Sequence, residues 1–143
     1  MNKKLVFLGG TVGNNDWRER LINELKDTID TSSLSNPVVK DWNEAAQKAE
    51  ELAKKNATHF LFYLGDPKQD GLSISGYSLV EATMALYDNP ESTVVIFDED
   101  DFSGHSLKAM KQTQKVLRSR FPKANILDSK DEVVKWLVSE LKE

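Results

Sequence analysis

Leu5-Val6-Phe7-Leu8-Gly9-Gly10 is a continuous apolar run that stops at a glycine pair, and His59-Phe60-Leu61-Phe62-Tyr63-Leu64 repeats the pattern before Gly65-Asp66-Pro67. Runs of this length without polar alternation are what a strand buried on both faces requires, and such strands belong to parallel sheets covered by helices. Working outward, each run is followed by an amphipathic stretch. Trp17, Leu21, Ile22 and Leu25 mark the inward face of a first helix, with Asn14, Asn15 or Asp16 placed to cap it. Asn36-Pro37-Val38-Val39 is expected as a short strand, and its proline favours a sheet edge. Ala45, Ala49, Leu52 and Ala53 mark the expected buried face of a second helix. A third helix starts between Ser75 and Ser78 and ends before Asn89-Pro90; Thr93 to Phe97 is a strand; Leu107, Met110, Leu117 and Phe121 seat a fourth helix. Asn125-Ile126-Leu127 is a weak last strand, followed by a helix from Asp131 to Leu141.

The order is therefore βαβαβαβαβα. Right-handed crossovers turn it into a doubly wound, five-stranded parallel sheet of flavodoxin-like order 2-1-3-4-5, a single α/β domain over residues 1–143. Ligands of such sheets bind beyond the strand carboxyl ends where the order reverses, here between the first and third strands. That directs attention to Gly9 to Trp17 and to Gly65 to Glu81.

Composition bounds the chemistry. The chain has 143 residues, 39% hydrophobic and 29% charged, with no cysteine. Disulfides, thiolate catalysis and cysteine-bound zinc are thereby excluded. A net charge of −4 with both signs interspersed argues against broad nucleic-acid binding. The apolar run near Met1 is too short for a signal peptide or a membrane span, so a cytoplasmic location is expected. No Walker loop and no GxGxxG fingerprint occurs, which leaves phosphoryl transfer and dinucleotide redox chemistry without support.

One charge is out of place. Between Leu72 and Tyr87 the only charged residue is Glu81, with Leu79, Val80, Ala82, Met84, Ala85 and Leu86 around it. A carboxylate near the start of a largely buried helix is partly desolvated, and that setting suits a group that attacks or stabilises a developing cation. Against this stands a structural reading: Ser78-Leu79-Val80-Glu81 matches the capping-box pattern, as does Ser129-Lys130-Asp131-Glu132. Position at the switch point favours function for Glu81, while the second box is read as purely structural.

Several motifs, in consistent order along nearly the whole chain, resemble the nucleoside 2-deoxyribosyltransferase-like proteins, in particular a branch of short bacterial and phage members. They are Val6-Phe7-Leu8-Gly9-Gly10-Thr11 with Trp17-Arg18, Asn36-Pro37-Val38-Val39 with Asp41-Trp42-Asn43, Gly76-Tyr77-Ser78 with Glu81-Ala82, and Asp98 to Asp101 with His105-Ser106-Leu107-Lys108. The resemblance implies that Glu81 attacks C1′ of a 2-deoxynucleoside, expels the base and forms a deoxyribosyl ester that a second base or water then takes. An oxocarbenium-like transition state suits a carboxylate on one face of the sugar. The leaving base needs a proton donor, for which Asp66 is preferred over Asp70, although both also fit ordinary turns.

The resemblance further implies substrate contacts from Gly9, Gly10, Thr11, Asp41, Asn43, Tyr77 and Ser78. The glycines equally suit a turn, and Asp41 or Asn43 equally suits a helix cap. Trp17 reads as core, and Arg18 matters for a substrate bearing a phosphate. The implied partners are a small nucleoside or nucleotide and a free nucleobase, in nucleotide salvage, with no cofactor, no metal, no nucleic acid and no membrane. A homo-oligomer stays open. In the better-known members a neighbouring subunit's C-terminal end completes the site, and Trp136 to Glu143 reads as an ordinary amphipathic helix without such a tail.

Two rivals remain in view. An N-glycoside hydrolase of TIR-like type would use the same glutamate, with water as acceptor and a nucleotide or NAD as substrate. A non-catalytic nucleoside- or nucleotide-binding module is the second. Flavodoxins and response-regulator receivers share the fold but not the loops: Gly9 to Asn14 is a poor phosphate cradle, and no acidic pair follows the first strand. The run Asp98 to Asp101 is read as a solvated loop capping the next helix rather than a magnesium site. Lys108, Lys111, Lys115 and Arg118 are read as the exposed face of the fourth helix.

Overall fold

The computed structural model describes residues 3–36, 43–71 and 76–142. Its elements, in chain order, are β1 (Val6–Gly10), α1 (Trp17–Leu25), β2 (Leu34–Ser35), α2 (Glu44–Asn56), β3 (His59–Leu64), α3 (Gly76–Asp88), β4 (Thr93–Phe97), α4 (Gly104–Arg120), β5 (Asn125–Leu127) and α5 (Lys130–Leu141). The strands form one parallel sheet in the order β2-β1-β3-β4-β5. This is the expected doubly wound order, with the two shortest strands at the edges.

The apolar runs are continuous because successive side chains enter two different helical layers. Phe7, Phe62, Leu64, Val95 and Phe97 pack with Ala82, Ala85 and Leu86 of α3 and Met110 and Leu117 of α4. Val6, Leu8, Leu61, Tyr63, Val94 and Ile96 pack on the other side with Trp17 and Leu25 of α1 and Val133 and Leu137 of α5. β1, β3 and β4 thus serve two cores at once, with no solvent face that would call for polar residues.

The structure corrects two local expectations, and a third falls mostly outside the described residues. The second strand pairs at Leu34 and Ser35, opposite Val6 and Phe7, ahead of the expected Asn36 to Val39; residues 37–39 lie outside the described residues. Leu34 is 7% exposed and joins the core, which anchors the register there. In α2 the expected buried face is turned outward: Ala45, Ala49 and Leu52 are exposed. The half-buried positions are Ala46, Glu50, Ala53, Lys54 and Ala57, again a helical stripe but one carrying two charges. Neither capping box forms as expected. α3 begins at Gly76, so Ser78 lies inside the helix, and Ser129 occupies the N-cap of α5 without a side-chain cap bond.

Two loops at the carboxyl ends of β1 and β3 are zipped together. The buried Thr11 hydroxyl accepts from Gly65 N–H at 2.8 Å and donates to Gly65 C=O at 3.1 Å. Asn14 N–H donates to Pro67 C=O at 2.7 Å, and Asn15 Nδ2 donates to Asp66 C=O at 2.7 Å. Gly10 has φ of 120°, and a Cβ there would lie 2.0 Å from Tyr63 O, so only glycine lets β1 lie this close to β3 as it turns away.

Candidate functional site

Glu81 sits in the second turn of α3, on the layer that covers Phe7, and its side chain is 9% exposed. A carboxylate so enclosed is unstable as a charge without a counterion. The counterion comes from α2: the Lys54 ammonium pairs with Glu81 Oε2 and also lies 3.2 Å from Glu50 Oε1. Two turns of helix separate Glu50, Lys54 and Ala57, which places all three on the stripe that faces the sheet. Burial opposes the Lys54 charge, but the hydrogen bonds and fields of Glu81 and Glu50 outweigh it and raise the lysine well above its ordinary range. The ammonium also rides 5.6 Å from the Phe7 ring centre and 5.6 Å from that of Tyr77. Glu81, Lys54, Glu50, Phe7 and Tyr77 are therefore one cluster beside β1, at the side of the sheet where the strand order reverses.

A second cation underlies the cluster. Arg18 is 4% exposed and binds three backbone carbonyls: Nε to Leu8 O at 3.1 Å, Nη1 to Thr11 O at 2.8 Å and Nη2 to Gly10 O at 3.3 Å. Burial lowers its pKa to about 10, against the opposing fields of Glu19, Glu50 and Glu81. It holds the end of β1 in place, stacked 4.4 Å over the Trp17 ring centre. Trp17 itself is core, its indole N–H donating to Thr11 O at 2.8 Å.

The other candidate residues divide clearly. Tyr77 is 66% exposed at the rim of the cluster, and Ser78 is buried in the first turn of α3. A Cβ at Gly9 would fall 2.6 Å from the Phe62 ring, so packing inside the sheet accounts for that glycine. Thr11 holds the two loops together, as described above. Asn43 caps α2, its Oδ1 accepting from Ala46 N–H at 2.8 Å, while Asp41 lies outside the described residues. Asp66 is exposed and its Oδ1 accepts from Lys68 N–H at 2.8 Å, the bond of a turn residue. Asp70 is exposed beside Gly71.

The acidic loop is not simply solvated. Asp98 is 4% exposed, accepts a hydrogen bond from the Tyr63 hydroxyl and pairs with Lys130 Nζ at 3.0 Å. Burial would raise its pKa, but Tyr63 and Lys130 outweigh that and hold it below the ordinary carboxylate value. Asp101 Oδ2 accepts from Asp66 N–H at 3.0 Å and from Asn15 Nδ2 at 3.3 Å. The run is a brace between loops. Among the described residues no group of three His, Cys, Asp or Glu side chains is arranged to hold a metal. A cavity of about 70 Å³ lies on the opposite face of the sheet, between α1 and α5, lined by Trp17, Arg20, Tyr63 and Lys130 among others.

Sequence reasoning missed Lys54 and Glu50. The signal was present: a single buried carboxylate on α3 demands a cation, and α2 carries one four residues after a glutamate. A search of curated proteins finds no match to this chain. A family model does match, over residues 3–100, a span that contains β1 through β4 and the whole Glu81–Lys54–Glu50 cluster. This 143-residue chain belongs to the nucleoside 2-deoxyribosyltransferase like family.

Proposed function

We propose that the chain is a transferase that moves 2-deoxyribose between nucleobases. One observation carries this reading: the enclosed Glu81 carboxylate, paired with Lys54 beside β1. Family membership supports a nucleoside substrate and glycosyl-transfer chemistry.

In this reading a Glu81 oxygen attacks C1′ as the C1′–N bond breaks, and the bonding pair leaves on the base nitrogen. The carboxylate first balances the oxocarbenium character of C1′ and then traps it as an ester. Esterification removes one of the two negative partners of Lys54. The ammonium then keeps Glu50 as its negative partner and stays beside the ester on the attacking face. Asp66, exposed at the end of β3, supplies the base's proton, with Asp70 as the alternative. Gly10, Thr11, Tyr77 and Ser78 are the proposed contacts for sugar and base; packing and capping account for Gly9 and Asn43, and Asp41 lies outside the described residues. An acceptor base reverses the steps, its nitrogen attacking C1′ and freeing Glu81. The setting is nucleotide salvage in the cytoplasm, without cofactor or metal, in a domain spanning residues 1–143 that works as a homo-oligomer.

The test is incubation of purified protein with a panel of 2-deoxynucleosides, with and without a free acceptor base, beside a Glu81→Ala control. New nucleosides that vanish in the variant are expected. Free base without exchange would replace transfer with hydrolysis and direct the panel to nucleotides and NAD. Absence of any Glu81-dependent product would overturn the reading.

A further inference from the structure

The net charge of −4 averages two unlike surfaces. Between Phe102 and Leu127 the chain places six lysines and arginines and not one aspartate or glutamate, which leaves thirteen basic against twenty-three acidic residues elsewhere. All six lie on α4 or in the turn that follows it, at Lys108, Lys111, Lys115, Arg118, Arg120 and Lys123, and all are exposed. Lys108, Lys111 and Lys115 are spaced by three and four residues, on one stripe about 10 Å long. Among the described residues none of these three pairs with a carboxylate, whereas Arg118 lies 3.8 Å from Asp128. Together with Gly104, Leu107 and Gln112 they line an open groove of about 400 Å³.

A merely solvated face would look different. On other exposed helix surfaces the chain alternates signs: Asp16 pairs with Arg20 and Glu44 with Lys48, each four residues apart. On α4 the same spacing brings like charges together, which destabilises a helix. The helix dipole accounts for Arg118 and Arg120 in the last turn. It does not account for Lys108 and Lys111, which lie nearer the end that favours anions. We propose that the stripe of Lys108, Lys111 and Lys115 docks on the phosphate backbone of a nucleic-acid duplex.

The surface chemistry selects this partner over other polyanions. Protein interfaces have an apolar centre and are poor in lysine, and the exposed side of α4 offers Val116 as its one large apolar group. Helices that lie on membranes insert an apolar face, but Met110 and Leu117 of α4 are packed in the core. Single-strand binders stack bases on aromatic rings, and α4 has no Phe, Tyr or Trp. Duplex interfaces are polar and strongly basic and need no such platform. Phosphates recur every 3.4 Å along one strand of a duplex, so the stripe spans about three of them. Acidic groups more than about 10 Å away are screened at 0.1 M salt, so the local stripe and not the net charge decides the contact. Such a contact reads no base sequence and acts as a tether. It stands whether or not deoxyribosyl transfer is the reaction.

The test is the fluorescence anisotropy of a labelled DNA duplex of about 20 base pairs titrated with the intact chain. A Kd of roughly 10 µM is expected at about 50 mM salt, within the ordinary non-specific range. Three phosphate contacts give a slope of about −2.7 in log K against log salt, so raising salt to about 200 mM should weaken binding about fortyfold. Lys111→Gln combined with Lys115→Gln leaves one contact, and the slope should fall to about −0.9. Both positions are exposed, so the double variant should melt with the parent. Lys135→Gln, at an exposed lysine on α5, should change neither affinity nor slope. No binding at about 50 mM salt with protein at about 200 µM overturns the proposal, as does a slope that the double variant leaves intact. Equal or tighter association with polyglutamate, with phosphatidylserine vesicles or with a single strand of the same length also overturns it and assigns the stripe to that partner.

Discussion

Replacing Lys54 with methionine isolates the contribution of the cluster's cation while keeping most of the apolar stem beside Phe7. Loss of one partner from a fully buried ion pair destabilises a protein by about 3–5 kcal/mol. Here Glu81 is 9% exposed but Lys54 is 29% exposed, so solvent screens part of the interaction. We therefore expect Lys54→Met to lose about 2 kcal/mol, less than the fully buried case. For a chain of this size that lowers the melting temperature by about 4–8 °C.

The pH dependence follows from the raised Lys54 pKa, in which the pull of Glu81 and Glu50 outweighs burial. A cation with a raised folded-state pKa contributes fully below its ordinary value of 10.5 and loses that contribution only as pH rises through the raised value. The gap between parent and variant should stay flat from about pH 6 to about pH 10 and narrow only above the ordinary lysine value. Urea denaturation at several pH values measures the gap, and Glu81→Gln with the double variant completes a cycle. A coupling of about 1–2 kcal/mol between the two sites is expected. A Lys54→Met protein that melts within about 1 °C of the parent would refute the argument, because it would mean that Glu81 needs no partner. A gap already gone at pH 8 would refute it too, by showing that the lysine is neutral there.

Three further outcomes follow from the loops and braces. Gly10→Ala places a Cβ 2.0 Å from Tyr63 O at φ of 120°, so a loss of about 4 kcal/mol or failure to fold is expected, read by circular dichroism and thermal melting. Thr11→Val removes the acceptor of the Gly65 N–H and should lose about 1–3 kcal/mol in urea melts, with Thr11→Ser restoring most of it. Asp98→Asn should lose about 1–2 kcal/mol near neutral pH through its Tyr63 and Lys130 partners. Because the Asp98 pKa is lowered, its contribution is present above the ordinary carboxylate range and lost as pH falls through the lowered value, so parent and variant stabilities should converge in acid.

The sheet was legible because strands buried on both faces leave an unambiguous trace. Leu5 to Leu8 and Phe60 to Leu64 can run without charged or alternating polar residues only if helices cover both sides, and the alternation of cores found on Phe7 against Val6 and Leu8 is the cause of that pattern. Crossover handedness then left few topologies. Local geometry was less legible. The pairing at Leu34 depends on one core contact, and a two-residue strand has almost no periodicity to detect.

The rotation of α2 has a more general cause. Ala45, Ala49 and Leu52 form a helical stripe as regular as Ala46, Glu50, Ala53, Lys54 and Ala57, and a rule that sends apolar residues inward selects the wrong one. What breaks the tie is not on α2. An enclosed carboxylate on α3 makes an inward lysine favourable, and that lysine can reach Glu81 only if Leu52 points out. The helix orientation is thus set by electrostatics at the candidate site at the expense of apolar burial, since Leu52 is 58% exposed in return. The other rotation would bury Leu52 but leave the enclosed Glu81 without its cation, which costs more than the leucine gains.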